Sequence, residues 1–235
     1  MEIVRMLSLG ALSFVIALAL TPVLTDFLYR HKQWFGKQIR EDNNTPIFRR
    51  MHQAKEGTPT MGGILIWGSI FAVLAITWLL KQVIDVPFFQ SLYFLDRAQT
   101  YLPLGALLFA GVFGLMDDVA GILRMGSKGG GLAFRWRLLV YLLVSLVGAW
   151  WFFYKLEWSL LYVPFLGMID VGFWSMPLFV FILLATVVSA NETDGMDGLL
   201  GGVSLFTLGA LAVVAFSLDR FHLSAFLSVM MGALL

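Results

Sequence analysis

The chain has 235 residues, of which 59% are hydrophobic and 13% charged, with no cysteine, a formal net charge of +1 and a mean hydropathy of +0.84. That composition excludes a soluble globular domain and a disulfide-stapled scaffold, and the missing cysteines exclude thiolate metal sites and cysteine nucleophiles. The net charge says nothing about nucleic acid, but the basic residues are distributed among loops rather than gathered on one face, so no nucleic-acid partner is expected.

The first apolar window, Leu7 to Leu24, is long enough to cross a hydrocarbon core. Ala17-Leu18-Ala19 within it imitates a signal-peptidase site, yet little positive charge precedes it, and the segment reads as the first span. Residues 29–60 form a polar, basic loop in which His31 and His52 are read as solvated. The loop runs into Lys55-Glu56-Gly57-Thr58-Pro59-Thr60-Met61-Gly62-Gly63. Glycines permit close backbone approach, Pro59 fixes a turn, and Lys55 with two threonine hydroxyls offers donors to a phosphate. The alternative is a capped helix start, with Thr60 as N-cap and Gly62-Gly63 packing against another helix.

A second window spans Met61 to Leu80, and the segment Val83 to Thr100 beyond it is amphipathic in parts, as an interfacial segment would be. The third window, Tyr101 to Met116, ends at Asp117-Asp118. Two adjacent carboxylates beside a hydrocarbon layer raise each other's pKa unless a cation lies between them, which points to a metal or phosphate site. The alternative is a solvated acid pair matched by Arg124, Lys128, Arg135 and Arg137, and Ser127-Lys128-Gly129-Gly130-Gly131 reads as a linker.

The fourth window, Leu138 to Phe153, carries Trp150 and Trp151 at its end, and Lys155 to Gly172 suits a short hairpin or an interfacial helix. After the fifth window, Phe173 to Ala190, comes Asn191-Glu192-Thr193-Asp194-Gly195-Met196-Asp197-Gly198. If helical, this segment puts Asn191, Asp194 and Asp197 on one face; otherwise Asp194 caps the next span, with Gly195, Gly198 and Gly202 as a packing face. The sixth window is Leu199 to Leu218, and a seventh begins near Leu223. His222 lies away from the acidic clusters.

The fold expected is therefore an all-α polytopic membrane protein, with six complete transmembrane helices and the start of a seventh, in a single domain over residues 1–235. The loops at 29–60 and 117–137 hold 11 of the 16 basic residues, which places them, with 191–198, in the cytoplasm and the N-terminus outside. All three polar clusters then share one face, and Asp117, Asp118, Asp194 and Asp197 are expected in one cleft.

These clusters resemble the polyprenyl-phosphate sugar-1-phosphate transferases. The resemblance rests on Lys55-x-Gly57-Thr58-Pro59-Thr60-Met61-Gly62-Gly63, Gly114-x-x-Asp117-Asp118, Gly131-Leu132-x-x-Arg135-x-Arg137 and Asn191-x-Thr193-Asp194-Gly195-x-Asp197-Gly198-Leu199, in order along most of the chain. The first motif favours the branch that handles muramoyl pentapeptides. The resemblance implies magnesium-dependent transfer of phospho-MurNAc-pentapeptide from UDP-MurNAc-pentapeptide to undecaprenyl phosphate, on the cytoplasmic side of the bacterial plasma membrane, by a protein embedded in membrane lipid as a homodimer. Asp117 and Asp118 would be catalytic and would hold the metal, while Lys55, Thr60, Asn191, Asp194 and Asp197 would bind substrate. Glu192 stands where the family carries a hydrophobic residue. The family's later Gly-Asp motif, whose Asp is a main magnesium ligand, and its histidine-rich motif are not in these 235 residues. The resemblance therefore implies a domain incomplete at its C-terminus, which inserts but turns over little alone. Transfer of GlcNAc-1-phosphate, an inactive fragment and an ion-coupled transporter are the competing readings. Polar residues are scarce near the middle of the spans, which argues against transport.

Overall fold

A computed structural model describes residues 2–31, 59–95, 98–123, 134–194 and 198–235. The expected architecture is observed: among the described residues six helices are long and apolar enough to cross a membrane. They are α1 (Glu2–Arg30), α2 (Ile64–Val83), α4 (Ala98–Ile122), α5 (Phe134–Lys155), α6 (Ser175–Thr193) and α7 (Leu199–Ser217), joined by the short α3 (Pro87–Leu92) and followed by α8 (Phe221–Leu234). Most of the long helices outrun their apolar windows by a few residues at one end or both. A helix in lipid satisfies its backbone internally, and terminal residues such as Arg30 and Lys155 reach water on long stems.

The chain forms two compact units, residues 1–132 with 201–235, and residues 133–200. In the first, α8 is the most deeply buried helix, with Ser224 to Val229, Gly232 and Ala233 all covered. It packs against α1 and α2 around Leu9, Ile70, Val73, Phe94, Phe226 and Val229. Contact between α1 and α8 is at backbone distance. A Cβ on Gly232 would fall onto the carbonyl oxygen of Gly10, and one on Gly10 would stand 3.2 Å from the carbonyl oxygen of Ser228. Beside this crossing the Ser13 hydroxyl donates to the Val229 carbonyl at 2.8 Å. Small residues and interhelical hydrogen bonds are how helices associate where lipid gives no hydrophobic driving force.

The far ends of these helices are tied to the segment after α3. Arg5, only 6% exposed, donates to the Tyr93 carbonyl at 3.1 Å and to Glu2 at 3.3 Å. The Lys81 ammonium lies 4.8 Å from the Tyr93 ring centre, and the His222 Nδ1 is 3.3 Å from the Phe94 carbonyl. The segment around Leu92 and Phe94 is thus buried against the bundle rather than laid flat in the interface.

In the second unit α5 packs on α6, where a Cβ on Gly148 would stand 2.9 Å from the Phe179 ring. The connection between them resolves into a hairpin rather than a helix. β1 (Leu160–Val163) and β2 (Gly167–Asp170) pair antiparallel, with Tyr162 opposite Met168, and a single 3-10 turn (Gly172–Trp174) leads into α6.

Candidate active site

α4 does not stop at the acid pair. It continues to Ile122, so Asp117 and Asp118 sit in its last turns, half-buried. Consecutive positions on a helix diverge by about 100°, so the two carboxylates have different surroundings. Asp118 is turned to the start of α2, where its Oδ2 accepts the backbone N–H of Met61 at 3.0 Å. The second cluster thus holds the backbone of the first, across a sequence separation of 57 residues.

Met61 is buried and has φ of +72°, in the left-handed region. That conformation costs a side-chain-bearing residue about 1–2 kcal/mol. A hydrogen bond to a charged acceptor contributes roughly 1.5–3 kcal/mol, enough to offset it. The chain then tightens into a run of short turns: Ile64 donates to Met61 at 3.2 Å, Leu65 to Gly62 at 3.0 Å, and Ile66 to Gly63 at 3.1 Å. The helix boundary residue is Gly63, with no side-chain cap, so the expectation of Thr60 as N-cap is corrected. Gly62 and Gly63 are exposed with nothing within 4 Å of a Cβ built on either, so among the described residues they are not packing glycines. They leave open backbone directly beside the Asp118 anchor. α2 and α4 are fixed further along by Gly111, whose added Cβ would meet the Trp67 ring at 2.9 Å.

The third cluster belongs to the other unit. Asn191 and Thr193 close α6, and Thr193 donates its hydroxyl to Ser189 at 2.8 Å. Asp194 is the C-terminal boundary residue, its N–H reaching Ala190 at 3.2 Å. Both local readings of this acid are therefore corrected: the helix does not carry on through Asp194, and the next helix starts only at Leu199. Asn191, Glu192 and Asp194 are exposed. Gly198 and Gly202 meet nothing within 4 Å of a built Cβ, so the packing face expected of them is not formed among the described residues. Lys55 and Asp197 lie outside the described residues, as do Arg124, Lys128 and Gly195. No cluster of three or more metal-ligating side chains occurs among the described residues. What is built is a pair of hard carboxylates next to an exposed glycine turn, an arrangement that suits a cation shared with a phosphorylated ligand.

Comparison with known proteins bears on the same elements. The family model for glycosyl transferase family 4 matches residues 100–235, which include the acid pair and the third cluster. The first signature of phospho-N-acetylmuramoyl-pentapeptide-transferase matches residues 55–66, a stretch that includes Met61, whose backbone Asp118 holds. Among curated relatives, phospho-N-acetylmuramoyl-pentapeptide-transferase of Anoxybacillus flavithermus is 30% identical over 96% of this chain and 64% of its own length. The protein of that name from Chloroflexus aurantiacus is 32% identical over 99% of this chain and 59% of its own length. A Geobacillus relative is 32% identical over 95% of this chain and 63% of its own length. The chain therefore spans somewhat under two thirds of these relatives. With six spanning helices, its acid pair at the end of one of them, and a family match over more than half its residues, this chain is a multi-pass membrane protein belonging to glycosyl transferase family 4.

Proposed function

We propose that the chain carries part of the active site that transfers phospho-MurNAc-pentapeptide from its UDP carrier to undecaprenyl phosphate, releasing UMP and forming lipid I at the cytoplasmic face of a bacterial plasma membrane. The observation that carries this reading is the bond from Met61 to Asp118. It joins the segment bearing the muramoyl-pentapeptide signature to the acid pair, so two motifs far apart in sequence form one structure.

Each group has a role suited to its position. The exposed backbone at Gly62-Gly63 lets a diphosphate approach without a side chain in the way, and the Thr60 hydroxyl beside it is a donor. Asp118 positions that turn. Asp117 is assigned to the attacking phosphate, as base or as a direct ligand-site group. The pair Asp117 and Asp118 would hold magnesium, which binds through one or two carboxylates together with substrate phosphates and supplies screening between two anionic reactants. Asn191, Asp194, Asp197 and Lys55 are assigned to the uridine and diphosphate on sequence grounds. A lipid phosphate waiting at the membrane surface and a soluble nucleotide sugar meet at such a site only if it opens at the end of a span, as the acid pair does.

The test is a transfer assay with protein made from the full coding sequence, using radiolabelled UDP-MurNAc-pentapeptide and UDP-GlcNAc side by side with undecaprenyl phosphate. Label from the pentapeptide donor should pass to the lipid phase with stoichiometric UMP. Product from UDP-GlcNAc alone would overturn the choice of branch, and absence of product from both would overturn transfer itself.

A further inference from the structure

The hairpin between α5 and α6 takes no part in the chemistry above, yet it is both apolar and exposed. From Trp158 to Ile169 there are twelve residues and no charge, with Glu157 and Asp170 on either side. The turn is built from Pro164, Phe165 and Leu166, where exposed hairpins ordinarily place Gly, Asn or Asp. Phe165 takes φ of +71° and Gly167 +82°, and the Leu166 N–H closes the turn onto Val163 at 3.1 Å. Phe165 thereby stands fully clear of the protein, at 106% exposure, and Leu166 is 74% exposed. On the strand face below them Tyr162 and Met168, directly opposite in the register, are 68% and 67% exposed. A two-stranded hairpin has no core of its own, and none of the described residues of this unit covers that face.

Its base is rigid. Trp158 and Phe179 both pack on Phe152, with ring centres 6.1 and 4.8 Å away, and Val171 donates to the Ser159 carbonyl at 2.9 Å. These contacts hang the hairpin directly from the ends of two membrane spans. The link from Lys155 to Leu160 can extend at most about 17 Å, so the hairpin begins within reach of the headgroup layer. Trp174, 76% exposed at the entry to α6, marks the same level with an amphipathic ring.

We propose that this hairpin is a membrane-interface anchor: its Phe165-Leu166 tip and its Tyr162/Met168 face insert into the lipid leaflet reached by the C-terminal end of α5. Bilayer lipid is the occupant because the hairpin hangs from the ends of two spans that themselves expose large apolar side chains such as Val147, Trp150, Phe173 and Phe181, and because its flanking charges, Lys155, Glu157 and Asp170, sit at the base rather than at the tip.

The absence of cysteine makes the test direct. A fluorophore on Leu166→Cys, in the full chain reconstituted into phosphatidylcholine and phosphatidylglycerol vesicles, should lose most of its emission to lipids with a nitroxide high on the acyl chain and little to aqueous iodide. A label on Asp219→Cys, in an exposed link, serves as the water reference. If Leu166→Cys fails to insert, Met168→Cys reads the same face. Quenching by iodide comparable to that at Asp219 overturns the proposal. So does a label shielded from both quenchers in proportion to protein density, which would make the hairpin a contact between copies.

Discussion

At the scale of single residues, Asp118 and Met61 show one carboxylate setting a backbone conformation that Met61 would not adopt unaided. Asp118→Ala leaves the Met61 N–H without its acceptor, and the protein should lose about 1–3 kcal/mol of stability in a denaturant titration in detergent. Asp118→Asn keeps an oxygen at that position and should retain most of the stability. Asp117→Asn should act on catalysis, with turnover down by about 10²-fold or more, because it removes the charge proposed to act on the phosphate without changing size. Equal stability losses in Asp118→Ala and Asp118→Asn would show that the bond does not hold the turn. The acid pair itself was legible in the sequence as an anomaly of charge against hydropathy. The role of Met61 was not, since nothing in a methionine announces a left-handed φ, and its partner lies on another helix. The alternative readings of Thr60 and Asp194 as caps fail for the same reason: local propensity names good capping residues, while tertiary contact and the actual helix ends decide whether they cap.

At the scale of elements, the helices were legible because a bilayer demands about twenty apolar residues and fully satisfied backbone. Their pairing was not, because a lipid-facing and a helix-facing apolar side chain look alike in sequence. The signals that did exist were small: Gly10 and Gly232, with Ser13 and Ser228 nearby, mark the crossing of α1 and α8. Arg5 gave no such signal: a lone charge near the start of the first span, it is buried on the carbonyl of Tyr93. Gly232→Ala should force α1 and α8 apart and cost about 1–3 kcal/mol or more, the range for overpacking a tight contact. Gly209→Ala on α7 is the matched control, because its Cβ would rest 3.4 Å from the flexible end of Met231. Ser13→Ala removes one interhelical hydrogen bond and should cost only about 0.6–1.7 kcal/mol. Thermal unfolding of the three variants in one detergent would rank them, and a Gly232→Ala protein as stable as Gly209→Ala would mean the close crossing is not where the helices meet.

For the whole molecule, the alternation of spans turns one assignment of sidedness into many. With 11 of 16 basic residues in the loops at 29–60 and 117–137, the positive-inside rule assigns those loops to the cytoplasmic side in the proposed topology, because moving clustered lysine and arginine across a membrane is unfavourable. On that proposed topology, alternation of the spans would turn the ends of α4 and α6, carrying Asp118 and Asn191, to the compartment that holds nucleotide sugars. The links at Asp85 and Asp219 would then fall on the opposite side. A single cysteine at Asp85 or Asp219 should therefore react in intact cells with a membrane-impermeant maleimide, while one at Leu123 or Glu192 should react only after the membrane is opened. All four positions are exposed, so protection reports the bilayer and not the protein. Labelling of Leu123 or Glu192 in sealed cells would put the acid pair or the third cluster outside, where no UDP-linked donor reaches it, and the proposed transfer would lose its substrate even with every side chain in place.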